Sequence, residues 1–312
     1  MSEISKARYF LFGFTAAIYL AAWILTYLGG LKMDSTKFLA SAASSLICVA
    51  TFNYLLRKPK LQYLRSLVET VGLGIALTGP LIMLTYLAAL TNHPLQDHRL
   101  MQMDQNLGID WMALIATADA HPIFPLALTL AYNSFAFQLL LLPALLSISR
   151  QAARAYQMVA AHGFICVFAS FISIWYPALG TYAALSIDIS QFKNIDASWG
   201  LASVDQMMAV RTDPGFVLRL DQASGIITFP SVHAAAAILC AWATWPLKLV
   251  RFPLIILNIF MFFSAFVVGG HYVVDLISGI AITGFAIALV LYVTRLPARK
   301  SASLCENAQL SH

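Results

Sequence analysis

The sequence predicts an all-α protein, a polytopic bundle of transmembrane helices. Of its 312 residues, 60% are hydrophobic and only 11% are charged. The apolar residues are gathered in blocks of roughly 20, the length that a helix needs to cross the hydrocarbon layer of a bilayer. Length and apolar content together therefore predict an integral membrane protein.

About eight spans are expected from these blocks. The predicted spans cover residues 9–29, 38–56, 66–90, 125–148, 156–182, 232–247, 252–269 and 274–294. The first span follows Lys6 and Arg8 and has no small-residue cleavage site after it, so we expect it to remain as a membrane anchor. N-terminal helices over 1–60, a larger membrane domain over 61–300 and a cytoplasmic tail over 301–312 are the predicted divisions.

Basic residues predict the orientation, because they favour the cytoplasmic side of short loops. With a cytoplasmic N-terminus, that side holds 13 of the 19 lysines and arginines, and the outer side holds the remaining 6. The 13 are Lys6, Arg8, Arg57, Lys58, Lys60, Arg65, Arg150, Arg154, Lys248, Arg251, Arg295, Arg299 and Lys300. The net charge of +5 is therefore a topology signal, and a nucleic-acid partner is not expected because no basic helix or stacking surface accompanies it.

The cysteines and loop histidines predict neither a disulfide nor a metal centre. Cys48, Cys166 and Cys240 fall within predicted spans and Cys305 falls in the tail, so we interpret them as packing residues. His93, His98 and His121 have no tight ligand spacing and are expected to be solvated loop residues. No cofactor is expected.

Two long outer segments, 91–123 and 187–228, are candidates to cap or build a site, as long loops of compact proteins often do. Within the first, Leu100 to Ala118 alternates apolar residues with Asp104 and Asp110, which predicts a helix lying along the interface as a structural cap. Glu69 and His162, inside spans, are expected to pair within the bundle or to reach the interface, far from the outer site.

The last span begins with a histidine and an aspartate four residues apart. On a helix, His271 and Asp275 share one face, one turn apart, so that their side chains can meet. A carboxylate on one ring nitrogen fixes the tautomer and makes the other nitrogen more basic, as a histidine nucleophile or base requires. Gly270, just before this pair, lets the backbone approach a ligand closely.

A second histidine opens the sixth span at the same predicted depth. Pro230 and Ser231 are helix-starting residues, and His233 follows within the first turn. Free amides and the helix dipole at such an N-terminus bind anions, which makes Ser231 and the nearby backbone a phosphate-binding candidate. A short hairpin then returns the chain to the outer face, so the two histidines are expected to meet.

At these residues the chain resembles the type 2 phosphatidic acid phosphatase superfamily. Pro230-Ser231-Val232-His233 is similar to its second signature motif, and Ser264 through His271 to Asp275 is similar to its third. The resemblance implies a six-helix phosphatase-like catalytic core within 61–300. It implies that His271 attacks phosphorus to form a phosphohistidine, that His233 protonates the departing oxygen and that Asp275 orients the nucleophile.

The resemblance has two gaps. The first motif, a lysine followed seven residues later by Arg-Pro, is absent, and Ala265 stands where an arginine is expected. Because a transferring phosphoryl group needs compensating charge, Arg211, Arg219 and Lys193 are the predicted phosphate-binding cations. These departures make the chain similar in style to the inositol phosphorylceramide synthase branch.

The predicted function is therefore a membrane lipid phosphatase that acts on a lipid phosphate or diphosphate entering from the bilayer. A lipid phosphotransferase, which passes a phosphorylated headgroup to a lipid alcohol, is the first alternative. A proton-coupled transporter using His271 and Asp275 is the second, and the clustering of charge at one surface weighs against it. The predicted location is a bacterial inner membrane, with cytoplasmic termini and a periplasmic site.

Overall fold

The computed structural model describes residues 2–295, and over this range the chain is a bundle of helices. They are α1 (Glu3–Gly29), α2 (Ser35–Leu55), α3 (Gln62–Leu90), α4 (Asp97–Asn106), α5 (Trp111–Asp119), α6 (Ile123–Ile148), α7 (Ala152–Ser173), α8 (Thr181–Ala184), α9 (Ser198–Ala202), α10 (Val204–Thr212), α11 (Val232–Thr244), α12 (Arg251–Val267) and α13 (Val273–Arg295). The predicted tail over 301–312, with Cys305, lies outside the described residues.

All eight predicted spans are present as apolar helices. Six of them, α1, α2, α3, α6, α7 and α13, are long and apolar enough to cross a membrane, while α11 and α12 are shorter. The largest difference in bounds is at α7, which ends at Ser173 rather than near residue 182. Pro177 explains this end, because proline disfavours a helical conformation in the residue before it and lacks an amide hydrogen.

Six helices, α3, α6, α7, α11, α12 and α13, pack together as the core, with α1 against α3, α7 and α13 and with α2 against α3. The start of α1 meets the end of α13, where Arg295 Nε lies 3.3 Å from Glu3 Oε1. Likewise, Arg154 Nη2 at the start of α7 donates to Trp242 O near the end of α11, at 3.0 Å. We call this end of the bundle the basic face, and the other end, where α11 and α13 begin, the histidine face.

The predicted interfacial helix over Leu100 to Ala118 is wrong in one respect, because it is two helices, α4 and α5. Gly108 separates them with a φ of 76°, a left-handed conformation that glycine adopts without strain. Asp110 then caps α5, since its Oδ1 accepts a hydrogen bond from Ala113 N at 3.0 Å. Both helices lie at the histidine face, where α4 packs against α13 and α5 packs against α6.

Candidate active site

The site is built first around His271, in the turn just before α13, and Asp275, in the first turn of that helix. His271 Nδ1 lies 3.1 Å from Asp275 Oδ2, and the same oxygen accepts a hydrogen bond from Tyr272 N at 2.9 Å. Both side chains are buried. Because Nδ1 faces a carboxylate oxygen, we assign the ring proton to Nδ1, which leaves the lone pair of Nε2 free for reaction.

Gly270 shapes the backbone before His271. Gly270 has a φ of 66°, and a Cβ there would come within 2.5 Å of a Tyr182 ring carbon, so only glycine fits both the conformation and the space. Its carbonyl oxygen accepts hydrogen bonds from Thr181 N at 2.7 Å and from Thr181 Oγ1 at 2.9 Å. This turn is therefore tied to α8 and holds the imidazole in one place.

Asp104 from α4 holds the N-terminus of α13. Its two carboxylate oxygens accept hydrogen bonds from Val273 N at 2.8 Å and from Val274 N at 2.9 Å. Free amides at a helix start are the groups that a carboxylate caps best, through charge-assisted hydrogen bonds and the helix dipole. Burial raises the pKa of Asp104, and the two amides oppose that shift only in part.

Asp97, on the same helix, holds Tyr272, the residue next to His271. Its Oδ1 accepts a hydrogen bond from Tyr272 OH at 3.0 Å, and it also accepts from the amides of Leu179 and Gly180. Burial, followed by the charge of Asp97, raises the pKa of Tyr272. The sequence interpretation treated this region as a cap and did not assign Asp97 or Asp104 a role. Their spacing of seven residues, two helical turns, was the available signal.

The second histidine is positioned by the start of α11. Ser231 Oγ accepts a hydrogen bond from Ala234 N at 3.3 Å, which makes Ser231 the N-cap, as predicted from its residue type. Ser231 N donates to Asp275 O at 3.1 Å, so the starts of α11 and α13 are joined directly. Gly279 permits this approach, because a Cβ there would lie 2.8 Å from Ser231 O.

Aromatic rings hold the imidazole of His233. The Tyr132 ring stacks on it with centroids 4.1 Å apart and planes within 8°, and the Phe135 ring lies 4.3 Å away on α6. Within residues 2–295 the His233 ring makes no hydrogen bond. The ring is thus fixed by packing, while its nitrogens remain available to a ligand.

Both histidines line one cavity of about 470 Å³. Its walls come mainly from α3, α6 and α7, and residues 224–228 of the second long outer segment line it together with parts of α9 and α11. His162 and Cys166 line it as well, with Cys166 Sγ 3.7 Å from His162 Nε2. The expectation that His162 lies apart from the site was therefore wrong, because the cavity extends from the histidine face well into the bundle.

A comparison with known protein families identifies the family of the chain. The sequence profile of the PAP2 superfamily matches residues 98–289, more than half of the chain. The chain belongs to the PAP2 superfamily. This match confirms the resemblance to type 2 phosphatidic acid phosphatases, whose members are phosphatases and phosphotransferases. No curated protein and no solved structure matches the chain.

The PAP2 cavity has an unexpected lining, since none of the lysines and arginines within 2–295 contributes to it. Arg211 donates from Nη2 to His93 O at 2.7 Å, and Arg219 and Lys193 are exposed. Ser231 and Gly270 are adjacent to the cavity without lining it, whereas Gly269 does line it. The structure thus brings His233, His271 and Asp275 together and leaves the three predicted cations outside this lining.

Proposed function

We propose that this PAP2 member hydrolyses a lipid phosphate or diphosphate through a phosphohistidine on His271. One observation carries the proposal: an Asp275-oriented imidazole and a second imidazole with unbonded nitrogens line the same largely apolar cavity. A nucleophile oriented by a carboxylate, with a proton donor beside it, is the arrangement that two-step group transfer needs. The apolar walls suit a lipid chain.

In the first step, His271 Nε2 attacks phosphorus and the bond from phosphorus to the lipid oxygen breaks. His233 donates a proton to that oxygen, and the lipid alcohol, or the lipid monophosphate in the case of a diphosphate, departs. In the second step, His233 takes a proton from water and the resulting hydroxide attacks phosphorus, so that the bond from phosphorus to His271 Nε2 breaks and inorganic phosphate and free His271 result. Asp275 stabilises the positive charge that His271 carries in between.

No lysine or arginine within residues 2–295 lines the cavity, so other groups have to compensate the negative charge of the phosphate. The start of α11 offers such groups. The amides in the first turn of α11, beside His233, provide donors and the positive end of the helix dipole, which favour an anion there. The prediction that Arg211, Arg219 and Lys193 bind phosphate remains a proposal, for a substrate headgroup that extends beyond the cavity. We also propose that the histidine face is periplasmic, in a bacterial inner membrane, with both termini cytoplasmic.

A lipid phosphotransferase is the second candidate, and the lining itself favours it. The largely apolar cavity walls give water few polar partners near His271. A lipid alcohol entering the same cavity could then accept the phosphoryl group in place of water. Following labelled phosphate in the presence of a diacylglycerol or ceramide acceptor separates the two reactions, since only hydrolysis releases all of the label as inorganic phosphate.

The test of either function is His271→Ala in purified protein, assayed with a long-chain phosphatidic acid and a polyprenyl diphosphate. We expect phosphate release and phosphate transfer to fall to background, because no other group takes the role of the nucleophile. His98→Ala, at an outer-segment histidine away from the cavity lining, is the matched control and should retain activity. Chelator should leave the unmodified protein active. Full activity in His271→Ala would overturn the proposal.

A further inference from the structure

A second charged cluster lies on the basic face, where α1, α2 and α3 meet. Its centre is Glu69, which is fully buried. Arg8 donates to both carboxylate oxygens at 2.7 Å, and Arg65 Nε and Tyr156 OH add hydrogen bonds at 3.0 Å and 2.6 Å. Four donors thus satisfy one carboxylate. The expectation that Glu69 pairs within the bundle is confirmed by these contacts.

Arginine charge exceeds carboxylate charge at this cluster. Arg57, at the turn after α2, lines the same cavity of about 530 Å³ as Arg8 and Arg65. Arg57 stacks over the Tyr54 ring at 4.3 Å and makes no hydrogen bond or ion pair to any residue in the described part of the chain. Arg65 uses only Nε in the hydrogen bonds to Glu69 and Asn53, which leaves its two terminal nitrogens free.

The cavity has a charged side at the helix ends and an apolar side along the membrane-spanning helices, which is the arrangement that a lipid needs. Phe12 and Ala50 lie on the membrane-spanning parts of α1 and α2, and the arginines lie at the helix ends. An anionic headgroup would meet the guanidinium groups, whose planar donor pairs match phosphate oxygens, while its chains would extend along the apolar side. Basic pockets between transmembrane helices bind such headgroups.

We propose that this cavity is a binding site for the phosphate group of an anionic phospholipid in the leaflet at the basic face. It is separate from the catalytic cavity, because the two share no lining residue. The bound lipid would join α2 to α1 and α3 and complete the charge balance that Glu69 leaves open. The proposal does not depend on which phosphorylated lipid the histidines act on.

Native mass spectrometry of the purified full chain, delipidated and then titrated with phosphatidylglycerol or phosphatidylcholine, tests this site. We expect phosphatidylglycerol to bind more tightly, and Arg57→Gln to weaken that binding about tenfold, the equivalent of about 1.4 kcal/mol. Arg57→Gln leaves the Arg8–Glu69–Arg65 contacts in place, so the fold should persist. Arg65→Gln should weaken binding in the same direction.

Lys248→Gln is the control, since Lys248 is an exposed cation on the same face and outside the cavity. Its phosphatidylglycerol affinity should equal that of the unmodified chain. Equal binding of the two lipids, or equal losses in Arg57→Gln and Lys248→Gln, would overturn the proposal. Binding of inorganic phosphate at Arg57 with no preference for phosphatidylglycerol would overturn the assignment to a lipid.

Discussion

At the scale of single residues, the site depends on one proton being kept on one nitrogen. The Asp275 carboxylate accepts from His271 Nδ1, and so it holds the reactive lone pair on Nε2. The same oxygen accepts from Tyr272 N, which prevents the carboxylate from rotating away. His233 has no such partner, and its ring is fixed by the Tyr132 and Phe135 rings instead. The two imidazoles therefore differ in surroundings, which fits the different roles proposed for them.

Asp275→Asn is predicted to lower the turnover rate by about 10²–10⁴-fold, the range of a well-placed acid–base contribution. Asp275 Oδ2 serves both His271 Nδ1 and Tyr272 N, so an asparagine oxygen in its place could keep both hydrogen bonds but would carry no negative charge. The His271 ring of the phosphohistidine would then lose the negative charge that stabilises it, and Nε2 would be a weaker nucleophile. Steady-state phosphate release, compared with the thermal midpoint of the same sample, measures the effect. A loss of less than threefold in a folded variant would contradict the role of Asp275.

At the scale of helices, the site depends on how closely α11 approaches α13. Ser231 N donates to Asp275 O, and Thr283 Oγ1 donates to Ala235 O at 3.1 Å. Both contacts need the small surface of Gly279, whose missing Cβ leaves room for the Ser231 carbonyl. The distance between the histidine-bearing helix starts is therefore encoded by a glycine one turn beyond Asp275.

Gly279→Ala is predicted to destabilise the protein by about 1–3 kcal/mol, the usual effect of overpacking, and to reduce activity. The added methyl group would force α11 away from α13 and separate the two histidines. Gly284→Ala is the matched control, because the same helix has open space there and alanine favours a helix. The thermal midpoint and the rate of phosphate release should fall together in Gly279→Ala and not in Gly284→Ala. Equal behaviour of the two variants would contradict the close-approach argument.

Asp104→Asn is predicted to lower the stability of the protein by about 1 kcal/mol near neutral pH. Asparagine has one carbonyl oxygen, so one of the two hydrogen bonds that Asp104 accepts from Val273 N and Val274 N is lost. The raised pKa of Asp104 adds a signed pH dependence. The folded state binds the Asp104 proton more tightly than the unfolded state, so the unmodified protein gains stability relative to the variant as pH falls through that raised pKa. The free energy of unfolding of both proteins, measured by denaturation from pH 7 to pH 4, should show their difference increasing as the pH falls. A gap that narrows on acidification would contradict this account.

At the scale of the whole molecule, the features that follow local rules were predictable from the sequence. Span length and apolar content predicted the eight apolar helices, and a spacing of four residues predicted the contact of His271 with Asp275. Residues brought together by tertiary packing were not predictable in the same way. Asp104 reaches α13 across 169 residues of chain, and His162 reaches the cavity because α7 passes beside α6 and α11.

The three predicted cations illustrate the same limit. Arg211, Arg219 and Lys193 precede the first histidine motif in the chain, and proximity in sequence suggested proximity in space. In the fold, the carbonyl of His93 binds Arg211, while residues 224–228 take the place beside the histidines. Loop paths are set by packing among distant segments, and no periodicity in the sequence encodes them.

The length of the cavity that both histidines line gives the last prediction. Its lining on α3 runs from Thr85 to Val71, a separation of fourteen positions that spans about 21 Å at the helical rise. Gly74 lies in the deeper part, where a Cβ would have Val159 Cγ1 as its nearest neighbour at 3.9 Å. Gly74→Leu should therefore place a side chain in the lower cavity without strain. We expect it to raise the KM for long-chain phosphatidic acid about tenfold and to leave short-chain substrates unchanged.

The control for this variant is Gly13→Leu, at a position on α1 with open space around it and outside the cavity lining. Both substitutions replace a helical glycine with leucine, so any general effect on helix stability is shared. KM measured across a series of acyl-chain lengths should then change only for Gly74→Leu, and only above the length that reaches its side chain. A uniform change across all lengths would mean that the lipid chain does not occupy this cavity, because a filled lower cavity can obstruct only chains that enter it.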